Sequence, residues 1–174
     1  MKQAIPFILF LLATFSAKAN SVDTVKVNTV DKTIQIGKIL IAKDSSIAAL
    51  LTLLGKPDVS DAIGGVENRR LIYNNLGIAI ETSEDGKKLK GVSFTFNPDG
   101  DKKTASGQFK GVLIVDGYQI TETCTGDNLK ENTQLKNLKC IPNLMCMTDL
   151  KTSDFVVLVG YQTEKITQMG FGFK

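Results

Sequence analysis

Two stretches of this chain, residues 78–96 and 155–173, lie over one another without a gap at an offset of 77, and each reads as strand, short turn, strand. Ile78, Ile80, Leu89, Val92, Phe94 and Phe96 are the apolar positions of the first, and Phe155, Val157, Ile166, Met169, Phe171 and Phe173 occupy the same places in the second. Alternation by two turns one face of each hairpin toward a core. Recurrence at a spacing much longer than a small solenoid repeat predicts two similar halves in one chain. Residue identity across the overlay is slight, essentially Lys88 with Lys165 and two Phe pairs, so the hydrophobic pattern carries the repeat.

Along the chain, 20–32 is polar with scattered Val and reads as a loose leader, while 33–42 is a β-branched strand interrupted at Gly37. Asp44 or Ser45 is positioned to cap a helix in which Ile47, Leu50, Leu51 and Leu54 share one face. Gly55 and Pro57 end it. A loop over 59–68 precedes strands at 70–73, 77–82 and 89–96, joined by the turn sequences Asn74-Asn75 and Asp85-Gly86, which favour antiparallel pairing.

The Gly-, Asp-, Lys- and Ser-rich segment 98–108 reads as a linker. Gly111 to Val115 then matches Gly37 to Ile41 at an offset of 74, and 121–139 takes the place of the helix, with Leu129, Leu135 and Leu138 as its apolar side. Strands at 143–148, 155–161 and 166–173 complete the second set. The expectation is an α+β protein of two tandem β-α-β-β-β halves, 20–97 and 109–174, with an antiparallel sheet and short helices on one face.

The beginning of the chain predicts export. Met1-Lys2, an apolar run from Ile5 to Phe15 and Ala17-Lys18-Ala19 have the form of a signal peptide cleaved after Ala19. That run is about half the length of a membrane-spanning helix, so stable membrane insertion is not expected. The first Cys is Cys124, which leaves no lipid-modified cysteine after the cleavage site. Cleavage removes two of the 21 basic residues and leaves 19 against 18 acidic ones. Such a balance gives no basic stripe for nucleic acid. A periplasmic or secreted protein follows.

Histidine is absent, which excludes Ser-His-Asp and Cys-His nucleophile systems and His-ligated zinc. Cys124, Cys140 and Cys146 permit one disulfide and one thiol. The expected pair is Cys124 with Cys140, closing a polar segment; the alternative, Cys140 with Cys146, brackets Ile141-Pro142-Asn143. With no C-x-x-C spacing, no metal and no cofactor are expected. The loop from Asn97 to Asp101 is followed by Lys102 where a calcium loop has its sharp-turn Gly, and no Glu closes it. Asp127, Glu131 and Asp149 have no spacing that forces two carboxylates together.

Partner-binding residues are sought among the aromatic and Arg positions that dominate protein interfaces. Tyr73 with its neighbours Arg69, Arg70, Asn74 and Asn75, together with Tyr118 and Tyr161, are the candidates.

The run from Ser46 through Leu54-Gly55-Lys56-Pro57-Asp58, Leu71-Ile72-Tyr73 and Leu76-Gly77-Ile78 to Val92-Ser93-Phe94 resembles the β-lactamase-inhibitor-protein-like fold of the SmpA/OmlA lipoprotein domains, and a group of secreted bacterial domains. The resemblance implies a curved antiparallel sheet that holds partner proteins on its open face, without catalysis. The expected function is therefore an exported non-enzymatic protein-binding domain of the bacterial envelope or exterior. Its alternatives are an immunity or inhibitor protein for a secreted toxin or hydrolase, and a carrier of a small apolar ligand in a cavity lined by Leu50, Leu54 and Phe94.

Overall fold

The computed structural model describes residues 22–62, 68–163 and 165–174. The expected signal peptide over 1–19 lies outside the described residues. Among the described residues no helix is long and apolar enough to cross a membrane.

The first three strands, β1 (Thr24–Asn28), β2 (Thr33–Ile36) and β3 (Ile39–Ile41), lead into helix α1 (Ala48–Leu54). An antiparallel run follows, β4 (Val59–Ala62), β5 (Asn68–Tyr73), β6 (Ile78–Ser83) and β7 (Leu89–Thr95). The hairpin β8 (Val112–Val115) and β9 (Tyr118–Ile120) then leads into α2 (Gly126–Asn132). A second antiparallel run closes the chain, β10 (Lys139–Ile141), β11 (Met145–Met147), β12 (Phe155–Gln162) and β13 (Lys165–Phe173).

These thirteen strands form two sheets. The larger has the order β10-β11-β12-β13-β7-β6-β5-β4, so the two runs meet where β13 pairs antiparallel with β7. The hairpins that overlay in sequence are thus neighbours, and all twelve of their patterned apolar residues are buried. The smaller sheet has the order β3-β2-β1-β8-β9. Its central strand, β1, pairs antiparallel with β2 and parallel with β8, and so joins the two hairpins.

The α+β expectation is overturned. The two α-helices have seven residues each, and the layer opposite the large sheet is mainly a second sheet. One continuous core takes Val25, Val27, Ile34, Ile36, Leu113 and Val115 from the small sheet and Ile78, Ile80, Val92, Phe94, Val157 and Phe171 from the large one. The helices add Leu50, Leu54 and Leu129. Helices this short have little stability of their own and depend on packing, so strands supply most of the buried surface. The repeated unit is also not β-α-β-β-β, because in each run a two-strand hairpin precedes the helix and four strands follow it.

Several local readings change with it, among them the loop expected over 59–68, which opens with β4. The supposed leader contains β1, whose Thr-Val-Lys-Val-Asn alternation buries Val25 and Val27 and exposes Lys26 and Asn28. Residues 98–108 do not span free space: Ala105 is 1% exposed against Ile72 and Ala79, and Phe109, just beyond, packs on Phe94 with ring centroids 4.9 Å apart. The helix α1 starts without a side-chain cap; Asp44 adopts a left-handed turn and Ser45 Oγ instead accepts the Ala42 N–H. Leu50, Leu54 and Phe94 are packed in the core, filling the place where the carrier reading put a cavity.

Phe94 is fully buried and touches Phe109 and Phe171. Phe94→Ala is expected to lower unfolding free energy by about 3–5 kcal/mol, whereas Leu40→Ala, at a position 66% exposed, stays within about 0.5 kcal/mol. Denaturant titration of both variants checks this.

Candidate functional site

The outer face of the large sheet is where the two four-strand runs present side chains away from the core. Cross-strand register sets them in rows. One row is Arg70, Glu81, Gly91, Gly172 and Val156; the next is Ile72, Ala79, Ser93, Gly170, Leu158 and Met147. Along the β7–β13 seam the residues are therefore Gly91, Gly172, Gly170 and Ser93, with larger side chains to either side. Missing side chains in the middle of a pleated surface leave a trough.

That trough has a volume of about 340 Å³. Arg70 and Glu81 form one wall, joined by an Nη2–Oε1 contact of 2.8 Å, and Val156 and Leu158 form the other. The loop after β7 contributes Asp101, Lys103 and Thr104 at one side. Arg70 uses one of its five N–H donors on Glu81, and its side chain is 18% exposed. The cleft thus combines an apolar wall, a flat backbone floor and donors and acceptors of both charges.

Gly170 shows why the floor is open. A Cβ built there meets only Ser93 Cβ at 3.6 Å and Val92 O at 3.9 Å, which is ordinary contact, so neither backbone conformation nor crowding requires glycine. Glycine inside a strand weakens it and is a mark of close approach by another backbone or a ligand.

Side-chain hydrogen bonds shape the loop and tie it to the turn after β5. Asp99 Oδ1 accepts the Asp101 N–H, and Asp101 Oδ1 accepts that of Lys103. Asn74 Oδ1 accepts the Ser106 N–H, and Asp58 Oδ2 accepts that of Asn74. Gly77, at φ +66°, lies so close beneath the loop that a Cβ would fall 2.1 Å from the Phe109 backbone nitrogen.

The seven residues sought as partner anchors do not come together. Arg70 lines the trough, and Asn74 fixes the loop beside it. Arg69 points to the opposite face of β5 by strand alternation and is exposed; Asn75 is exposed in the turn Asn74–Leu76. Tyr73 is 3% exposed and belongs to the core, so it offers no surface to a partner. Tyr118 lies on the small sheet with its hydroxyl 3.6 Å from Cys124 Sγ. Tyr161 is half-buried beside the disulfide. Missed by the sequence reading were Glu81, Ser93, Gly91, Gly170 and Gly172. The alternation Met169-Gly170-Phe171-Gly172-Phe173, with glycine at every outward place, was the signal for the last two.

The expected disulfide is also corrected. Cys140 pairs with Cys146, and Cys124 is a buried thiol. The two bonded cysteines are direct cross-strand partners on β10 and β11, with Cα atoms 4.0 Å apart. A cleft of about 300 Å³ adjoins this bond, bordered by Gly126, Ile141, Pro142 and Tyr161. Burial, with Cys124 and Asp127 nearby, pushes the Tyr161 phenol up to about 12, and its buried oxygen has no hydrogen-bond partner.

Of the carboxylates weighed for acid–base work, Asp149 is held below the usual range, first by the Lys139 ammonium 2.6 Å away and then by the Lys151 N–H. Among the described residues no group of three or more potential metal-ligating side chains converges.

Two stability tests follow from this geometry. Gly170→Ala is expected to be neutral or stabilising by up to about 1 kcal/mol, since only the unfolded chain loses freedom, while Gly77→Ala is strongly destabilising; thermal melts of the pair decide. The Tyr161 phenol, raised in the folded state above its ordinary value of 10.0, contributes stability that is complete below pH 10 and is lost as pH rises toward 12. Tyr161→Phe should flatten that alkaline loss in melts run across this window, and an unchanged profile would contradict the assignment.

No curated protein and no solved structure matches this chain. Residues 25–130, from within β1 to within α2, match the family described as "Domain of unknown function (DUF7738)". That span takes in nearly all of the small sheet, both helix positions and the first four-strand run, leaving the second run and its half of the trough beyond it. Because the match covers more than half of the chain, the protein belongs to the DUF7738 family.

Proposed function

We propose that this protein is an exported, non-enzymatic binding module of the bacterial envelope or exterior, and that it takes a partner protein on the outer face of its large sheet. The trough along the β7–β13 seam carries this reading. Three glycines and a serine keep the middle of an eight-stranded sheet free of bulk, and Gly170 has no internal reason to be glycine. Val156 and Leu158 supply apolar contact, while Arg70, Glu81, Asp101 and Lys103 supply orientation. The signal-like residues 1–19 support export, and the resemblance to sheet-face binding folds supports the mode of recognition.

A wider hollow of about 780 Å³ lies on the outer face of the small sheet, with Val30 and Leu40 exposed in it. Some of its polar groups are engaged within the turns: Asn28 with Asp31, and the Asp116 carboxylate with Thr29 and the Gln134 N–H. The trough differs in its floor, where glycine leaves the backbone uncovered.

The test is affinity capture from envelope extract with the unsubstituted protein, Gly170→Leu and Leu40→Ala in parallel. A partner held on the trough is weakened by Gly170→Leu at least about tenfold, or 1.4 kcal/mol, and is unaffected by Leu40→Ala. Retention by Gly170→Leu with loss in Leu40→Ala moves the site to the other sheet. Failure to find any specific partner, alongside turnover in a substrate screen, overturns the binding reading.

A further inference from the structure

The disulfide and the free cysteine lie to either side of the start of α2. Gly126, the first residue of α2, is pressed so closely on the disulfide that a Cβ there would sit 2.8 Å from Cys146 Sγ and 3.2 Å from Cys140 Sγ. Cys124 is two residues upstream, in the non-helical segment before the Thr125 cap. Two residues of chain reach no further than about 7 Å. Tyr161 borders the cleft beside the disulfide, and its hydroxyl would lie 3.7 Å from the same Cβ.

The surroundings of the sulfurs differ. Cys124 and Cys146 are each 3% exposed, whereas Cys140 is exposed on the edge strand β10. The Thr121 N–H donates to Cys124 Sγ at 3.3 Å, and Thr121 Oγ1 and Tyr118 OH lie 3.5 and 3.6 Å from it. The Cys124 S–H in turn faces Gln119 O at 4.0 Å, so this sulfur sits among polar partners although it is buried.

We propose that Cys124 is the third member of a disulfide-exchange site, which converts the Cys140–Cys146 bond into Cys124–Cys146 and releases Cys140 as an exposed, modifiable thiol at the sheet edge. The Cys124 thiol gives up its proton to solvent, and its thiolate attacks Cys146 Sγ through a mixed-disulfide transition. The Cys124–Cys146 bond forms as the Cys140–Cys146 bond breaks, and Cys140 leaves as a thiolate that takes up a proton. One disulfide is exchanged for another, so neither oxidant nor reductant is consumed. Cys146 is the sulfur attacked because it is the one nearer to the start of α2 and faces inward with Cys124. The released Cys140 then reacts with thiol-directed partners: a protein disulfide, a low-molecular-weight disulfide or an alkylating reagent.

The experiment uses the full-length protein, oxidised and folded, incubated at mildly alkaline pH, where thiol–disulfide exchange is favoured, with N-ethylmaleimide as the probe. Peptide mapping after digestion reads both the labelled cysteine and the cross-linked pair. The expected result is label on Cys140 together with a Cys124–Cys146 cross-linked peptide, formed faster than the protein unfolds globally, and loss of that label in Cys124→Ser. Label confined to Cys124 with the Cys140–Cys146 peptide intact overturns the proposal. So does label on Cys140 that persists undiminished in Cys124→Ser. Should Cys124→Ser fail to fold, the cross-linked peptides of the unsubstituted protein still decide, since the proposal requires the Cys124–Cys146 species.

Discussion

The antiparallel pairing of β13 with β7 is the constraint on which the rest of the molecule depends. It fuses two four-strand runs into one eight-stranded sheet, from Met169 opposite Phe94 to Gly172 opposite Gly91. On the inner face the same seam assembles a chain of rings, in which Phe94 touches Phe109 and Phe171, and Phe155 touches Phe171 and Phe173. Aromatic pairs at such spacings add to the free energy of burial. The loop after β7 is tied to the seam as well, through the Phe109 N–H to Thr95 O bond and the Asn97 amide to Ile166 O.

The seam also determines the character of the outer face. Strands that alternate glycine with large apolar residues place all the bulk inside and leave backbone outside. The inner face is thereby well filled while the outer face becomes a trough, and both follow from one period-two pattern. Arg70 and Glu81 flank it as a cross-strand ion pair, partly exposed and so of modest value to stability. Each keeps hydrogen-bonding atoms beyond the one contact they share.

A second organising feature is the position of β1. Between two hairpins that are far apart in the chain, it pairs parallel with β8 through Val25 and Leu113, and antiparallel with β2 through Val25 and Ile36. The Asp116 carboxylate fastens the end of this arrangement by accepting from Thr29 N–H, Thr29 Oγ1 and Gln134 N–H. The disulfide does similar work at the far edge of the other sheet, where β10 has only three residues to hold it.

The hydrophobic alternation by itself determined the paired hairpins at 78–96 and 155–173, the buried Leu face of α1 and its end at Gly55, because these depend on local periodicity and on the backbone freedom of single residues. The absence of histidine likewise narrowed the chemistry without coordinates. Only the tertiary structure decided that a second sheet, rather than a helical layer, covers the core, since β1 is a five-residue segment whose strand character depends on partners distant in sequence. It also decided which cysteines meet, because cross-strand register, not loop length, places Cys140 opposite Cys146. The scatter of the tyrosines and the gathering of Arg70, Glu81 and the seam glycines have the same cause: a site on a sheet is a row across strands, and a row is invisible until the strand order is known.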